Sequence, residues 1–287
     1  IIEKPKLTLL ILSILLITFG YFAKNFQLDA SSDTLLLEND PDLKYLREVS
    51  STYGYKDYFV LTYTPNDNFL DSSTITNLTN LKKDLKNLIW ANNVITILDV
   101  PLLKNNDDPL AERIKNFKTL SNGDVDKERG FNEIINSPIY NELVISKDGK
   151  TSGILVYIKT DEKMSNLIKT KNNYLDKISN KKLSPDEEKN YKLFINEYDN
   201  YKKIYNQKNH QNVNEIRDVL RMHNDTATIY LGGIPMIADD MMTYVKSDIV
   251  VFGAGVFLFI IFTLWFVFRS FLWVFIPLLS CFFSVFI

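Results

Sequence analysis

The chain has 287 residues, 46% of them hydrophobic and 24% charged, with 33 Lys and Arg against 35 Asp and Glu for a formal net charge of −2. Outside residues 24–248 the only charges are Glu3, Lys4, Lys6 and Arg269, so that stretch holds 30 basic and 34 acidic residues and lacks the basic excess a nucleic acid requires. A single cysteine, Cys281, excludes a disulfide-stapled secreted scaffold, and the crowding of apolar residues at both ends argues against a wholly soluble protein.

The first apolar run is Leu7–Ala23, 17 uncharged residues bordered by Lys4, Lys6 and Lys24. A helix needs about 20 residues to cross roughly 30 Å of hydrocarbon, and lysines at the borders can reach back to the interface. The rival reading is a cleaved signal peptide, whose apolar core usually runs to about 7–15 residues. This run is longer, and Gly20-Tyr21-Phe22-Ala23-Lys24 makes a poor small-x-small cleavage site. A retained membrane helix over 1–23 is expected.

The polar stretch 24–248 reads as a folded α+β domain. Tyr58-Phe59-Val60-Leu61-Thr62-Tyr63 is strand-like and ends at Thr64-Pro65. Asp71-Ser72-Ser73 can cap a helix whose apolar positions Ile75, Leu78, Leu81, Leu85 and Leu88 recur at spacings of three and four. Val94–Leu98 follows as a buried strand that stops before Pro101, completing one βαβ-type unit. In a second, Leu143-Val144-Ile145 and Gly153–Ile158 flank the hairpin signal Lys147-Asp148-Gly149-Lys150. A helix over about 162–179 and a closing strand over Thr226–Leu231 complete it.

Residues 184–223 form a helical insertion within that second unit. Ser184-Pro185-Asp186-Glu187 is a capping box with proline at the first helical position. Tyr191, Phe194, Tyr198, Tyr201 and Tyr205 then repeat at three and four, as do Val213, Ile216 and Leu220. Such a stripe serves either a coiled hairpin that docks a partner or a helix packed on its own domain.

A connector helix is expected over 236–248, then a second membrane helix over 249–268, 20 uncharged residues in which Thr263 is the only hydroxyl. Only Arg269-Ser270 separates it from a third apolar run, 271–287, which is still apolar at Ile287. That ending, and the start at Ile1 without Met, read as a fragment whose third membrane helix is incomplete. Lys4, Lys6 and Arg269 on the short flanks belong on the cytoplasmic side, which puts 24–248 outside.

Catalytic chemistry has little to stand on. Asp239-Asp240 invites a proton relay, but neighbours on a helix point about 100° apart, and the pair reads as the solvated face of the connector. Asp248 reads as an interfacial acid at a helix N-terminus. His210 and His223, with no cysteine nearby, give no metal spacing. No Gly-rich phosphate loop is present, Ser152-Gly153 lacks a nucleophile-elbow context, and Gly253-Ala254-Gly255 offers a small-residue face for helix packing. No catalytic, cofactor or metal residue is assigned, and an enzyme is the weakest class.

Ile229-Tyr230-Leu231-Gly232-Gly233-Ile234-Pro235-Met236 leads through the connector to Asp248, a membrane helix ending Phe268-Arg269-Ser270, and Ile276-Pro277-Leu278. This order resembles the region before the second and third membrane helices of the RND superfamily, and within it the MMPL-like, hydrophobe/amphiphile efflux-3 exporters. The first helix, Leu28–Leu36, Asp40-Pro41 and Tyr53-Gly54 fit the same plan. The resemblance implies a polytopic, proton-driven transporter of hydrophobic or amphiphilic molecules, including lipids, in a bacterial inner membrane, with 24–248 as a periplasmic porter-like domain. A homo-oligomer or accessory periplasmic proteins would accord with it. The family's proton-transfer acids lie on its fourth helix, to which nothing here corresponds, so Asp239 and Asp240 do not stand in for them. Tyr58, Phe59 and Tyr63 could be core or ligand-facing, and no substrate site is assigned. The rivals are a membrane sensor with an external ligand-binding domain, disfavoured by the two-residue turn at Arg269-Ser270, and a protein-export member of the same superfamily.

Overall fold

The computed structural model describes residues 56–104, 117–180 and 184–286, together with Leu10, Ile14, Ile17, Thr18, Tyr21, Asp40, Asp42, Tyr45 and Val49. Two compact units emerge, Leu36–Asp240 and Ile1–Leu35 with Met241–Ile287. In chain order the elements of the first are β1 (Tyr58–Pro65), α1 (Ser72–Lys86), β2 (Ala91–Ile95), α2 (Lys127–Ile135), β3 (Ser152–Ile158), α3 (Glu162–Ser179), α4 (Pro185–His223) and β4 (Ala227–Gly232). Two further helices follow, α5 (Ile234–Phe268), which begins in the first unit and continues into the second, and α6 (Phe271–Phe286).

The four strands form one sheet in the order β2-β3-β1-β4, with every neighbouring pair antiparallel. β1 and β2 are therefore parallel to each other with β3 between them, and β3 and β4 are parallel with β1 between them. Two interlocked split βαβ units make the ferredoxin-like arrangement, in which α1 serves as one crossover and the α3–α4 pair as the other. The expectation of βαβ-type units holds, with each pair of parallel strands split by a third.

The register places Phe59 opposite Val156, Leu61 between Ile154 and Leu231, and Tyr63 between Ser152 and Ile229. Phe59, Leu61, Tyr63, Ile154 and Val156 are buried and join Leu78, Leu81 and Leu85 of α1 and Val213, Ile216 and Leu220 of α4 in one cluster. Phe59 and Tyr63 are thus core residues. Tyr58 alternates to the other face, where it is 44% exposed and stands 5.7 Å, ring centre to ring centre, from Tyr157. That face carries Thr62, Thr228 and Tyr230, all exposed.

α1 matches its expected apolar spacing, though the Asp71 carboxylate turns back to accept from the Asn68 amide and makes no cap bond to the helix. The strand expected over Val94–Leu98 ends at Ile95. Asp99 accepts from both the backbone N–H and the hydroxyl of Thr96, a capping box that draws Ile97–Asp99 into a 3-10 turn. Leu143–Ile145 is not a strand either. The Tyr140 carbonyl accepts from the amides of Leu143, Val144 and Ile145 and Glu142 sits at φ 63°, so the segment turns and only Ile145 bridges to Ser152. The Asp-Gly turn itself forms, with Gly149 at φ 69°. Helix α2, capped by Asp126 on the Arg129 amide, falls where no element was expected.

α3 and the first half of α4 pack as an antiparallel hairpin. Tyr174 stacks on Tyr191 and Phe194, and Tyr198 is buried with Met164 and Leu167 in a second, smaller cluster. Lys163 and Lys171 lie over the Tyr201 and Tyr198 rings, covering them with cationic side chains. The aromatic stripe of α4 thus packs on α3 and its second apolar stripe on the sheet core, both within its own domain. The Ser184 capping box is present, and the Glu187 carboxylate also accepts from Lys177 across the hairpin at 2.6 Å.

Among the described residues one helix, α5, is long and apolar enough to cross a membrane. Its last 20 residues, Ile249–Phe268, are uncharged and rise about 30 Å. The separate connector and second membrane helix are in fact this one continuous helix, because nothing between Met236 and Phe268 breaks the hydrogen-bond ladder. Arg269, at φ 48°, ends it, and α6 runs on with Pro277 inside. The first apolar run and the motifs at Leu28–Leu36, Pro41 and Tyr53-Gly54 lie outside the described residues, except that Leu10, Ile14, Ile17, Thr18 and Tyr21 are helical.

Truncating Ile216, fully buried where α4 meets the sheet, removes a core side chain with no solvent to refill the space. Ile216→Ala is expected to destabilise the α/β domain by about 2–5 kcal/mol in denaturant unfolding. Acid acts elsewhere. Lys177, then the amide and hydroxyl of Ser184, hold the Glu187 carboxyl down from 4.5 to about 2. A lowered folded-state value means its contribution is complete above about pH 4.5 and lost as pH falls toward 2. Amide exchange in the first turn of α4 should therefore accelerate over that range, beyond the change in chemical exchange rate, and not in Glu187→Gln.

Candidate functional site

In its last four turns α4 shows two different faces. Val213, Ile216, Val219 and Leu220 enter the core, while His210, Asn214 and Arg217, at i, i+4 and i+7, form a polar stripe. The head of α5 lies against that stripe. Asn209 donates from Nδ2 to the Pro235 carbonyl at 2.7 Å. His210 Nδ1 is 3.0 Å from each carboxylate oxygen of Asp239, and Arg217 donates through Nη2 to both oxygens of Asp240 at 2.8 and 2.9 Å. Asn214 Nδ2 stands 3.1 Å from His210 Nε2.

These distances fix the roles. A carboxylate only accepts, so His210 donates from Nδ1–H to Asp239. Asp239 has 7% of its side chain exposed, against 47% for His210, so the carboxylate is withdrawn from water while the imidazole is about half exposed. A withdrawn carboxylate needs its partners, because leaving it unpaired costs several kcal/mol. Asn214 caps the chain of bonds with an amide, which offers no hydroxyl or thiol for the imidazole to activate. The arrangement holds and orients. Among the described residues no group of three His, Cys, Asp or Glu side chains is placed to bind a metal ion.

The start of α5 is fixed by the chain itself. Gly233, at φ 110°, turns β4 into the helix so close to β1 that a Cβ there would lie 2.9 Å from the Tyr58 carbonyl and 3.2 Å from Phe59 Cα. Pro235 sits in the first turn, where its missing N–H costs nothing, and the Ile237 amide closes the turn on the Gly233 carbonyl at 3.0 Å.

Elsewhere along α4 the same kind of bracing recurs. Tyr201 donates to both oxygens of Asp161 at 2.9 Å, Tyr205 to Asp57 at 2.7 Å, and Trp90 Nε1 to Glu215 at 2.8 Å. At the last residue His223 Nε2 meets Asp84 of α1 at 3.0 Å. Burial pushes the Asp161 carboxyl up, but the Met164 amide, the Tyr201 hydroxyl and Lys208 together outweigh it and hold it below its ordinary value. The Tyr201 hydroxyl is raised in turn, chiefly because it donates to Asp161.

The solvated face assigned to Asp239 and Asp240 is overturned: both turn to α4. The 100° between them, which forbids a common partner, instead sends them to separate ones two turns apart on the facing helix. Asp248 loses its place at a helix N-terminus, being exposed 14 residues inside α5. Among the described residues, a Cβ at Gly253 or Gly255 would meet no atom within 4 Å. Asn214 and Arg217 went unread in the sequence and His210 was weighed only as a metal ligand; their one signal is the i, i+4, i+7 polar stripe beside an apolar one.

Residues 200–287, from the middle of α4 through α6, match the family model described as the MMPL family. The match is a similarity over that stretch, 88 of the 287 residues, to a family whose members are transporters. It spans the bracing face of α4, the Gly233 turn, the whole of α5 and the run of α6. No curated protein matches the chain.

Because the Gly233 turn combines a left-handed backbone with contact to β1, Gly233→Ala is expected to cost about 1–3 kcal/mol of domain stability in denaturant unfolding. Gly123→Ala, with nothing within 4 Å of its built Cβ, should stay within about 0.5 kcal/mol of the parent.

Proposed function

We propose that this chain supplies the first exposed domain and its flanking helices to a proton-driven exporter of the MMPL type, within its hydrophobe/amphiphile efflux-3 group. The exporter moves hydrophobic or amphiphilic molecules, lipids among them, out of a bacterial inner membrane. Residues 24–248 face the periplasmic side, and the apolar run 7–23, the end of α5 and α6 cross the bilayer. The observation that carries the reading is α5. One helix is pinned at its head to a folded α/β domain and ends in 20 uncharged residues, within the residues that match the transporter family. A transporter of this type needs such a part, since substrate handling outside must be joined mechanically to helices that move in the membrane.

The short turn at Arg269-Ser270 favours the transporter over a sensor, because it leaves no length for a cytoplasmic signalling segment between α5 and α6. Orientation rests on Lys4, Lys6 and Arg269, the basic residues of the short flanks.

Topology can be tested directly. In a Cys281→Ser background, Asn122→Cys in an exposed turn should react with a membrane-impermeant maleimide on intact cells, and Arg269→Cys only after permeabilisation. The reverse pattern would overturn the orientation and with it the periplasmic domain.

A further inference from the structure

We propose that Asn122-Gly123 is a self-modifying site: the Gly123 amide nitrogen closes on the Asn122 side chain, ammonia leaves, and the ring reopens to an aspartyl or isoaspartyl residue at position 122. The inference stands on local geometry and does not depend on the transporter reading.

Between residues 117 and 152 three positions set an Asn or Asp before a Gly or Ser: Asn122-Gly123, Asn136-Ser137 and Asp148-Gly149. At two of them the attacking nitrogen is already engaged. The Ser137 N–H donates to the Ile134 carbonyl at 3.2 Å, and the Gly149 N–H to the Ser146 carbonyl at 2.9 Å. The Ser146 hydroxyl and the Lys150 amide also hold the Asp148 carboxyl below its ordinary value, and an ionised carboxylate repels a nucleophile. Asn122 and Gly123 are both exposed, and among the described residues the Gly123 N–H has no acceptor. Glycine also brings no Cβ to shield that nitrogen.

The Asn122 side chain is held by its oxygen. Oδ1 accepts from the Thr119 N–H at 2.8 Å and from the Thr119 hydroxyl at 3.0 Å. A backbone N–H only donates, so the oxygen lies on that side, and among the described residues Nδ2 has no acceptor. Attack at Cγ moves charge onto Oδ1, where two donors already stand, the placement that lowers the barrier of acyl transfer. The N–Cγ bond forms as the Gly123 nitrogen gives its proton to solvent. The Cγ–Nδ2 bond then breaks, and Nδ2 takes up a proton from water and departs as ammonia. Water opens the five-membered ring at either carbonyl, to the aspartyl or the isoaspartyl product. No redox partner is needed.

Either product sets a new carboxylate two residues from Asp124, which pairs with Lys118 at 2.9 Å, and four from Asp126, the cap of α2. The isoaspartyl form also adds a carbon to the main chain between Ser121 and Gly123. Ser121 is anchored there, donating from N–H and Oγ to the Leu98 carbonyl at 3.2 and 2.9 Å. The added length must be taken up in the turn that leads into α2.

The test holds the whole 287-residue chain in lipid nanodiscs near pH 8 and follows its peptides by mass spectrometry, with electron-transfer fragmentation to identify the isoaspartyl form. Asn122 should convert ahead of Asn136, with isoaspartyl among the products. Gly123→Ala, whose Cβ enters open space, should leave Asn122 intact over the same time. Thr119→Val removes one donor and should slow conversion about two- to tenfold, the worth of one hydrogen bond, while Thr119→Ser restores the rate. An unconverted Asn122, equal rates in the parent and Gly123→Ala, or an unchanged or raised rate in Thr119→Val would each overturn the proposal. Should Thr119→Val fail to fold, the comparison with Gly123→Ala and Asn136 decides alone.

Discussion

Everything in the α/β domain leans on α4. A helix of 39 residues is about 58 Å long, far more than one sheet can cover, so it must find several partners along its length. It does so in sequence: an aromatic stripe against α3, a polar brace to Asp57 and Asp161, then an apolar stripe on the sheet with a polar stripe beside it for α5. Each partner is held by side chains three, four or seven residues apart, which is the only spacing at which a helix presents one face. The sheet's second crossover, the hairpin and the anchoring of α5 therefore share a single rod, and loss of order in that rod would reach all three.

The strands show how little local sequence is needed once such a rod is present. Tyr58–Tyr63 was legible as a strand from its β-rich residues, while which of its rings face the core was settled only by the packing, which buries Phe59, Leu61 and Tyr63 and leaves Tyr58 and Thr62 exposed. The capping box at Ser184, the Asp-Gly turn and the helix after Asp161 were equally legible, because each depends on residues within a few positions of one another. Leu143–Ile145 failed for the opposite reason: its apolar residues suit a strand, but Glu142 and the Tyr140 carbonyl commit the backbone to a turn that no propensity describes. Ile97 and Leu98 likewise look like strand until the Asp99 carboxylate claims Thr96.

The junction was illegible for a different cause. Asp239 and Asp240 look like two solvated acids on an amphipathic helix, and a single helix examined alone gives no reason to think otherwise. Their partners lie 29 and 23 residues earlier, beyond any local rule. What joins them is the reversal at Gly233, which brings the chain from β4 back along α4, and its tightness was hidden in a glycine pair that reads as an ordinary loop. The His210, Asn214, Arg217 stripe gains meaning only when something polar is known to lie against it.

The unbroken course of α5 has one more consequence. Where a loop joins a soluble domain to a membrane span, the loop's unpaired amides and carbonyls must stay in water, and they pin the lipid surface to one level. Here the backbone groups between the first and last turns of α5 are paired within the helix, so over that length the backbone is indifferent to where water ends. In the proposed membrane crossing, the level of the bilayer on this helix would be set by side chains alone, chiefly Lys246 and Asp248 on one side and Ile249 on the other. A lysine stem can span the better part of a turn, so the helix can ride up or down by a few ångströms against a membrane of different thickness without breaking a single hydrogen bond.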